Sequence, residues 1–374
     1  MQKRIKIVYV ISHIDKALEF EWVISKLSRE KYDLSFVLLN PQPSKLALFA
    51  IHNSINCTEI YYSSKKQFLV ILFKLTRIFR EIKPDIVHAH LIDASLFAMI
   101  SSWICGVKGR IYTRHHSSFH HVYFKRHVII DKLINKLATK IIAVSPVVKE
   151  ILIKWEGCPE DKVYLVNHGL DFMTLVENKE NVQRIRDKYN LKDSYPIVGV
   201  ISRYIDWKGL QYIIPAFKEL LKIYPKAKLI LANAEGSYKK EILLLLKEIP
   251  ENNYIQIQFE DDIFSLYRTF DLFLHVPIDI HSEAFGQIYI EALAIGIPSV
   301  FTLSGVGNEI IKDRYNALVV PYCNSGAIYE SMLEGIVNSS LRNYMVENGK
   351  TSVRYFTIQN KISSLEFIYD GVKA

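Results

Sequence analysis

Short apolar runs alternate with amphipathic helical segments along nearly the whole chain, and this alternation limits the fold more than any other feature. Strands separated by helices are typical of a parallel sheet with helical crossovers. The strands predicted in the first half are Ile5–Ile11, Leu34–Leu39, Asp85–Ala89, Gly109–Thr113, Lys140–Val144 and Lys162–Val166. The helices predicted between them are Lys16–Ser28, Lys66–Ile82, Ala94–Ile104, Arg126–Leu137 and Pro146–Lys154. The first half is therefore predicted to be a doubly wound α/β unit.

The second half repeats this pattern after a polar stretch, residues 177–195, which lacks a strong apolar strand and is the predicted domain boundary. The predicted strands are Ile197–Ile201, Ala227–Leu231, Asp271–Val276, Ser299–Thr302 and Ala317–Val320. The predicted helices are Leu210–Ile223, Lys239–Lys247, Ile288–Ile295, Ala327–Val337 and Ile358–Tyr369. A length of 374 residues also fits two domains.

The composition excludes several classes of protein. Hydrophobic residues make up 49% of the chain and charged ones 23%, as in an ordinary globular protein. The four cysteines are scattered without metal-ligand spacing and are predicted to be buried thiols of a reducing compartment. The apolar run near residue 5 is too short for a signal peptide, and no run reaches the length of a membrane span. We therefore predict a cytoplasmic protein.

Positive charge is concentrated in the first half. Residues 1–170 carry a net charge of +11 and the remainder −3, which gives the formal +8 of the whole chain. A basic half suits nucleic acid, an anionic membrane surface or an acidic lipid-linked ligand. No nucleic-acid motif accompanies the charge, so we predict no nucleic-acid partner and favour the other two.

Two carboxylates, Glu283 and Glu291, lie eight residues apart in the segment 282–298. An apolar helical run begins between them at Gly286, after a predicted strand. Backbone N–H groups at a helix start lack intrahelical partners and lie at the positive end of the helix dipole, so they favour an anion such as diphosphate. Carboxylates on either side can accept hydrogen bonds from hydroxyls. A diphosphate between two hydroxyl-bearing groups describes a nucleotide-sugar.

This segment resembles the Glu-x7-Glu signature of retaining glycosyltransferases of the GT-B fold. The pattern Glu, any residue, Phe-Gly, then Glu-Ala-x-Ala-x-Gly-x-Pro runs through residues 283–298, and the whole chain resembles a family 4 glycosyltransferase. The resemblance implies two Rossmann-like domains that face each other across a cleft. It implies an acceptor-binding domain at residues 1–172, joined by a returning C-terminal helix at about 355–374, and a nucleotide-sugar-binding domain at 190–354.

The resemblance also implies roles for individual residues in donor binding. Arg203 and Lys208 match the family's Gly-Arg and Lys-Gly elements and are predicted to neutralise the diphosphate, with Ser202 in place of the usual glycine. Glu283 is predicted to hold sugar hydroxyls and Glu291 the ribose. The predicted backbone and loop contacts to the donor come from Phe285, Gly286, Gln287 and Ile288.

Histidines in the first half form a second group of candidates. His115 matches the family's Thr-x-His element, which lines the cleft near the transferred sugar, and His116 is the alternative. The density of His115, His116, His120 and His121 also suits a metal, but the sequence shows no carboxylate or cysteine that completes a ligand set, and the family needs no metal. We therefore predict no metal and no other cofactor. The family's glycine pair after the first strand is absent from residues 11–16, so the acceptor pocket is predicted to differ.

The resulting prediction is a retaining hexosyltransferase that uses a nucleotide-sugar, preferably a UDP-sugar. The predicted acceptor is a hydroxyl of a glycan or lipid-linked sugar in bacterial surface polysaccharide synthesis. A nucleotide-sugar epimerase of the same fold and a catalytically silent scaffold are the alternatives. Basic amphipathic segments at 65–80 and 119–140 suit either binding at the inner face of the membrane or ordinary solvated helix faces.

Overall fold

The computed structural model describes residues 3–372, so the outermost residues of the predicted first domain, 1, 2, 373 and 374, lie outside the described part of the chain. The chain divides into two compact units: residues up to Leu170 together with those from Phe356 onward, and Asp171–Tyr355. No helix among residues 3–372 is both long and apolar enough to cross a lipid bilayer.

The first unit is built on a seven-stranded sheet. Its strands are β1 (Ile5–Ser12), β2 (Tyr32–Asn40), β3 (Asn56–Tyr61), β4 (Ile86–His90), β5 (Gly109–Arg114), β6 (Lys140–Ala143) and β7 (Val163–Leu165). All are parallel, in the order β3-β2-β1-β4-β5-β6-β7. In β1, Ile7 to Ile11 are fully buried, as expected for a parallel strand covered on both faces. The strand order reverses between β1 and β4, which leaves a crevice at their carboxyl ends where ligands commonly bind.

Helices cover this sheet. They are α1 (Leu18–Lys26), α2 (Lys45–His52), α3 (Phe68–Ile82), α4 (Ile92–Ile104), α5 (Phe119–Tyr123), α6 (Val128–Leu137) and α7 (Pro146–Glu150). A π-helical turn, Ile151–Trp155, continues α7, and a 3-10 turn, Lys65–Gln67, precedes α3.

The second unit contains a six-stranded sheet. Its strands are β8 (Ile197–Ile201), β9 (Lys228–Ala232), β10 (Tyr254–Ile257), β11 (Leu272–His275), β12 (Ser299–Phe301) and β13 (Leu318–Val319). They are parallel, in the order β10-β9-β8-β11-β12-β13, so the order reverses between β8 and β11. Its helices are α8 (Lys179–Lys188), α9 (Leu210–Leu221), α10 (Lys239–Leu246), α11 (Ile263–Tyr267), α12 (Gln287–Ile295), α13 (Gly307–Ile310), α14 (Ser325–Val337) and α15 (Ser339–Ser352).

The last helix, α16 (Ile358–Asp370), belongs to the first unit, as the GT-B prediction requires. The chain re-enters that unit through a bridge between Leu170 and Thr357. Further along, the Tyr369 hydroxyl lies 2.5 Å from the Tyr9 hydroxyl and 2.7 Å from Nδ1 of His88. These contacts fix α16 against β1 and β4.

The predicted α/β alternation is confirmed in both halves, but the strands β3 and β10 and the helices α2, α8, α11, α13 and α15 were not predicted. The sequence pattern did not predict β3 and β10 because each is an edge strand with one buried residue, Ile60 in β3 and Ile257 in β10. The polar stretch 177–195 contains a helix, α8, which is capped by the Asn178 side chain and buries Ile185. A single buried residue gives too weak an apolar period to predict a helix.

Candidate functional site

The loops that follow β8 and β11 lie side by side because these strands are neighbours at the point where the strand order reverses. The backbone N–H of Ile278 donates to the Trp207 carbonyl at 3.1 Å. Gly209 has a left-handed φ of +77°, and a side chain there would overlap the carbonyl of Val276. This close packing brings Lys208 to Glu283, 75 residues further along the chain.

Lys208 and Glu283 form an ion pair with His275 as a third member. The Lys208 Nζ lies 2.5 Å from the Glu283 Oε1, and the His275 Nε2 lies 3.1 Å from the same oxygen. Burial raises the pKa of Glu283, but the Lys208 ammonium and His275 outweigh that effect and lower the pKa to about 2. Burial also lowers the pKa of His275, with Glu283 acting in the opposite direction. Glu283 is therefore ionised near neutral pH and can accept hydrogen bonds.

The segment after β12 holds the Glu283 loop in place. The Ser304 hydroxyl accepts the Glu283 backbone N–H at 2.9 Å, and the Gly305 N–H donates to the Ile280 carbonyl at 3.3 Å. A side chain at Gly305 would meet the Phe285 carbonyl at 2.5 Å. The glycine-rich turn at 305–307 therefore serves the loop as a close-packed support.

The sequence predicted a helix from Ile288, and α12 begins one residue earlier, at Gln287, directly after Gly286. Gly286 precedes the helix with a left-handed φ of +81°, and a Cβ there would lie 2.7 Å from the Tyr289 ring. Gly286, the N-cap residue, has no side chain that could cap the first turn, which begins at Gln287 and continues through Ile288. Phe285 is 3% exposed, so its ring packs inside the unit, and a contact with the donor stays a prediction.

Glu291 and Arg203 are not part of the Lys208–Glu283 contact. The Tyr267 hydroxyl donates to Oε2 of the half-buried Glu291 at 2.9 Å. Burial raises the pKa of Glu291, and the Tyr267 hydrogen bond acts against this. Arg203 is exposed and has no carboxylate partner among residues 3–372.

Three supporting residues were not identified from the sequence: His275, Ser304 and Tyr267. His275 offered a signal, because it ends an apolar strand at the carboxyl edge of a parallel sheet, where ligand-binding groups collect. Ser304 directly precedes the turn at 305–307 and Tyr267 lies in a segment with no motif. Neither residue type indicates its partner, so their contacts depend on the folded chain.

The first unit has a pocket at its own reversal point, between β1 and β4, with a volume of about 490 Å³. Its lining residues are Ser12, His13, Lys65, Leu91, Ile92, Asp93, His115, His116, Phe119, His120, Phe124 and His127. His13 adopts a left-handed φ of 52° in the loop that lacks the family's glycines, and its Nε2 lies 3.4 Å from Asp93. A side chain thus occupies the position where the resemblance would place bare backbone.

His115 lies between two other histidines. Its Nε2 is 3.1 Å from Nδ1 of His90, and its ring stacks on that of His168 with centroids 5.5 Å apart. Burial lowers the pKa of His115 to about 3, although Glu19 acts in the opposite direction. The imidazole is therefore neutral near pH 7 and carries one donor and one acceptor nitrogen.

Glu19 and Lys361 complete this group from distant parts of the sequence. The Glu19 carboxylate pairs with the Lys361 ammonium and lies 3.0 Å from Nδ1 of His168. Lys361 is 7% exposed and is supplied by α16. His168 is thus held in a buried charged cluster.

The expectation that no carboxylate accompanies the histidine cluster is wrong. Ligand atoms of His116, His120 and Asp131 lie within 4.8 Å of one another. However, the Arg114 guanidinium already pairs with Asp131 at 3.3 Å and with Glu156 at 2.6 Å. A cation would have to share Asp131 with Arg114, so this chemistry suits a fixed polar network better than a metal. The absence of a metal from the reaction stays a prediction.

Comparison with solved structures defines the class of protein. HepE of Anabaena, solved in complex with UDP and glucose, matches this chain with a TM-score of 0.85 at 17% identity, over 98% of this chain and 100% of that one. The fold is therefore GT-B, the two-unit fold of many glycosyltransferases.

Family models then narrow the class. The model described as glycosyl transferases group 1 matches residues 181–352, and the model described as Glycosyltransferase Family 4 matches residues 23–172. Together they take in most of the chain, which belongs to the family 4 glycosyltransferases of group 1 type.

Two curated relatives are similar over most of their length. The capsular polysaccharide biosynthesis glycosyltransferase CapM of Staphylococcus aureus is 27% identical over 78% of this chain and 77% of its own. The alpha-monoglucosyldiacylglycerol synthase of Acholeplasma laidlawii is 22% identical over 82% of this chain and 80% of its own. The relatives therefore include proteins of polysaccharide and of glycolipid synthesis.

Proposed function

We propose that the protein is a retaining transferase that moves a hexose from a UDP-sugar to a hydroxyl of a glycan or lipid-linked acceptor, without a metal, in bacterial surface polysaccharide synthesis. The ion pair between Lys208 and Glu283 at the reversal point of the second sheet carries this proposal. The name of CapM supports the polysaccharide role, and the UDP and glucose bound to HepE support the donor class.

Each donor group has a chemically suited partner in the second unit. Lys208 and the exposed Arg203 supply positive charge for the diphosphate, and the first turn of α12, whose N-cap residue is a glycine, supplies backbone N–H groups. The ionised Glu283 is an acceptor for sugar hydroxyls, since its pKa is held far below neutral. Glu291, oriented by Tyr267, is proposed to accept hydrogen bonds from the ribose.

The reaction breaks the bond between the anomeric carbon and the diphosphate oxygen. Negative charge then grows on the leaving nucleotide, and Arg203 and Lys208 stabilise it. The acceptor hydroxyl forms the new bond on the same face of the sugar and passes its proton to the leaving phosphate. The neutral His115 is proposed to hydrogen-bond the transferred sugar, the role that the family resemblance implies.

The test is to incubate the purified protein with a panel of UDP- and GDP-sugars and to measure free nucleotide. We expect release from one donor, and its loss in Glu283→Ala. Glu248→Ala is the matched control, because Glu248 forms an exposed ion pair with Lys218 on the same unit. Release that survives Glu283→Ala would contradict the proposed role of this residue.

Two further measurements separate the alternatives. Sugar analysis without acceptor distinguishes transfer from epimerisation, since an epimerase converts the donor into a second nucleotide-sugar. Thermal unfolding with UDP or GDP tests donor binding separately from turnover. If the protein shows no turnover of any donor and no stabilisation by UDP or GDP, the transferase proposal is overturned in favour of a silent scaffold.

A further inference from the structure

Two neighbouring histidines on α5 bind the same buried network in opposite ways. His120 uses Nδ1, the ring nitrogen nearer its backbone, which lies 2.7 Å from Oδ2 of Asp131. His121 uses Nε2, the nitrogen at the tip of its ring, which lies 3.1 Å from Oε1 of Glu156. Both carboxylates pair with the Arg114 guanidinium. The network therefore uses the tip of His121, whereas it leaves the tip of His120 for another partner.

Asp131 determines which nitrogen of His120 carries the proton. Burial raises the pKa of Asp131, but hydrogen bonds from His116 and His120, together with the Arg114 guanidinium, hold that pKa below its ordinary value. The ionised carboxylate can only accept, so Nδ1 of His120 donates to it. When the imidazole is neutral, this donation leaves Nε2 as a hydrogen-bond acceptor.

His120 contributes to the wall of the pocket of the first unit, and His121 does not. His121 instead meets the ring of Trp155, with the ring centroids 5.2 Å apart. The pocket, at about 490 Å³, has the size of a small-molecule site. Because Nδ1 of His120 is turned toward Asp131, the edge of the ring that carries Nε2 is the one that a ligand in the pocket can reach.

The other residues that line the pocket suit a neutral sugar. The rings of Phe119 and Phe124 lie 5.2 Å apart, and the C–H face of a sugar packs well on such apolar surfaces. Apart from the histidines, the charged residues of the lining, all of it described, are Lys65 and Asp93, one of each sign. Asp93 accepts the Tyr62 hydroxyl at 2.8 Å and has further lone pairs for a ligand hydroxyl. Balanced charge of this kind favours a ligand with hydroxyls over one with a phosphate.

We propose that the pocket of the first unit binds a neutral sugar, and that Nε2 of His120, oriented by Asp131, accepts a hydrogen bond from one of its hydroxyls. His120 then selects among sugars, because a sugar that lacks this hydroxyl leaves the buried Nε2 without a partner. Asp131 is a positioning residue, since it acts through His120. That this sugar is the acceptor rests on the proposed function, whereas the binding itself does not.

The first experiment measures sugar binding by NMR of the whole protein with its histidine nitrogens isotopically labelled. The probes are p-nitrophenyl glycosides of glucose, galactose, mannose and N-acetylglucosamine, and p-nitrophenol alone is the control for the aglycone. Loss of signals in His120→Asn or His120→Gln assigns those of His120. At mildly alkaline pH we expect the proton of His120 on Nδ1, and a shift of its Nε2 signal when one of the glycosides binds.

Three results of this experiment would overturn the proposal. A proton on Nε2 of His120 instead of Nδ1 would contradict its orientation by Asp131. The absence of a shift with every glycoside would refute sugar binding at His120. The same shift with p-nitrophenol alone would assign the pocket to an apolar ligand. None of these results depends on turnover, so each leaves the transferase proposal unaffected.

The second experiment compares His120→Asn with its matched control, His121→Asn. In His120→Asn the shorter amide side chain can still donate to Asp131, but it lacks the ring tip that carries Nε2. With the glycoside that binds as acceptor, we expect its KM to rise about fivefold in His120→Asn at unchanged kcat, and to stay the same in His121→Asn. His120→Gln, whose longer amide extends toward the position of Nε2, should restore part of the affinity.

Nucleotide release without an acceptor, in which water takes the sugar, keeps the two proposals separate. It should be equal in the unaltered protein and in both asparagine variants, because His120 and His121 lie in the first unit and the proposed donor site in the second. An unchanged KM in His120→Asn, or an equal rise in His121→Asn, would overturn the role of His120 and leave the transferase proposal standing. Glycoside binding without any turnover would refute the transferase proposal alone.

Discussion

The charged groups at the reversal point of the second sheet and those beside the pocket of the first sheet differ in how tightly they are enclosed. The side chains of Lys208 and Glu283 keep 18% and 12% exposure and meet between two loops. Asp131 and Glu156 have no exposure and share the buried Arg114 guanidinium. Charges that bind a ligand must be able to exchange partners, whereas charges that fix a scaffold are most effective when every partner is permanent. The Lys208–Glu283 pair therefore fits a binding site. Asp131, Glu156 and Arg114 fit a structural framework beside one.

The largest expected effect comes from Lys208→Ala. Removal of a fixed cation from the leaving diphosphate should lower turnover about 100-fold to 1000-fold, with little change in the melting temperature. Nucleotide release and thermal unfolding check the two parts. Lys218→Ala is the control, because that lysine forms an exposed pair with Glu248. Near-normal turnover in Lys208→Ala would mean that Lys208 fixes the structure, as Asp131 and Glu156 do, and does not act on a ligand. The two groups of charges would then no longer differ in role.

Asp131→Asn should have the opposite effect: it should lower the stability of the protein and leave stabilisation by UDP unchanged. Loss of a fully buried charge that pairs with Arg114 and lies 2.7 Å from His120 should lower the free energy of unfolding by about 3 kcal/mol. Chemical denaturation measures this change. Stabilisation by UDP should persist, since Asp131 belongs to the other unit. Glu150→Gln, which alters an exposed pair with Lys154, should change stability by less than about 0.5 kcal/mol.

The buried histidines predict a fall in stability as the pH drops. Burial lowers the pKa of His88 and His115 to about 3 and that of His116 to about 4. Below about pH 6.5 the unfolded chain binds protons that the folded chain does not, so each such group costs about 1.4 kcal/mol per pH unit down to its folded pKa. Burial also lowers the pKa of His275, so this residue adds to the loss of stability as the pH falls. Glu283 stays ionised in this range because its pKa is about 2.

Denaturation midpoints measured between pH 7 and pH 4 test this dependence. His88→Asn should give a shallower slope, whatever its effect on stability at pH 7. A slope that is equally steep in His88→Asn would show that His88 does not titrate on unfolding, and a flat profile in the unaltered protein would refute the assignment of neutral buried histidines.

The residues of the proposed donor site are easier to select from the sequence than the residues around the pocket of the first unit, because the information is local in one case and distributed in the other. The spacing of Glu283 and Glu291 about a glycine and a helix start is visible in one short segment. The partners of His168, by contrast, are Glu19 and Lys361, which come from opposite ends of the chain and meet only through α1 and α16. No periodicity or motif encodes such a contact.

The same distinction applies to the fold. The central strands were predicted within a few residues because a strand buried on both faces is apolar throughout. The edge strands β3 and β10 and the helix α8 were not, since each buries little more than one side chain. Asp131 was overlooked for a related reason: it lies in an amphipathic helix whose pattern does not indicate which polar residue faces inward.

Tyr267→Phe should produce the smallest effect and sharpen the comparison within the donor site itself. Loss of the hydroxyl that donates to Glu291 at 2.9 Å leaves the carboxylate half-buried without that donor, so its pKa should rise further above its ordinary value. If Glu291 binds the ribose, affinity for UDP should fall about fivefold, which is about 1 kcal/mol. Isothermal titration with UDP measures the change. Tyr189→Phe is the matched control, because its hydroxyl donates to Glu260 at 2.7 Å in the same unit. Equal UDP affinity in both variants would assign the Tyr267–Glu291 pair to the framework, and a loss in Tyr267→Phe alone would assign it to the site.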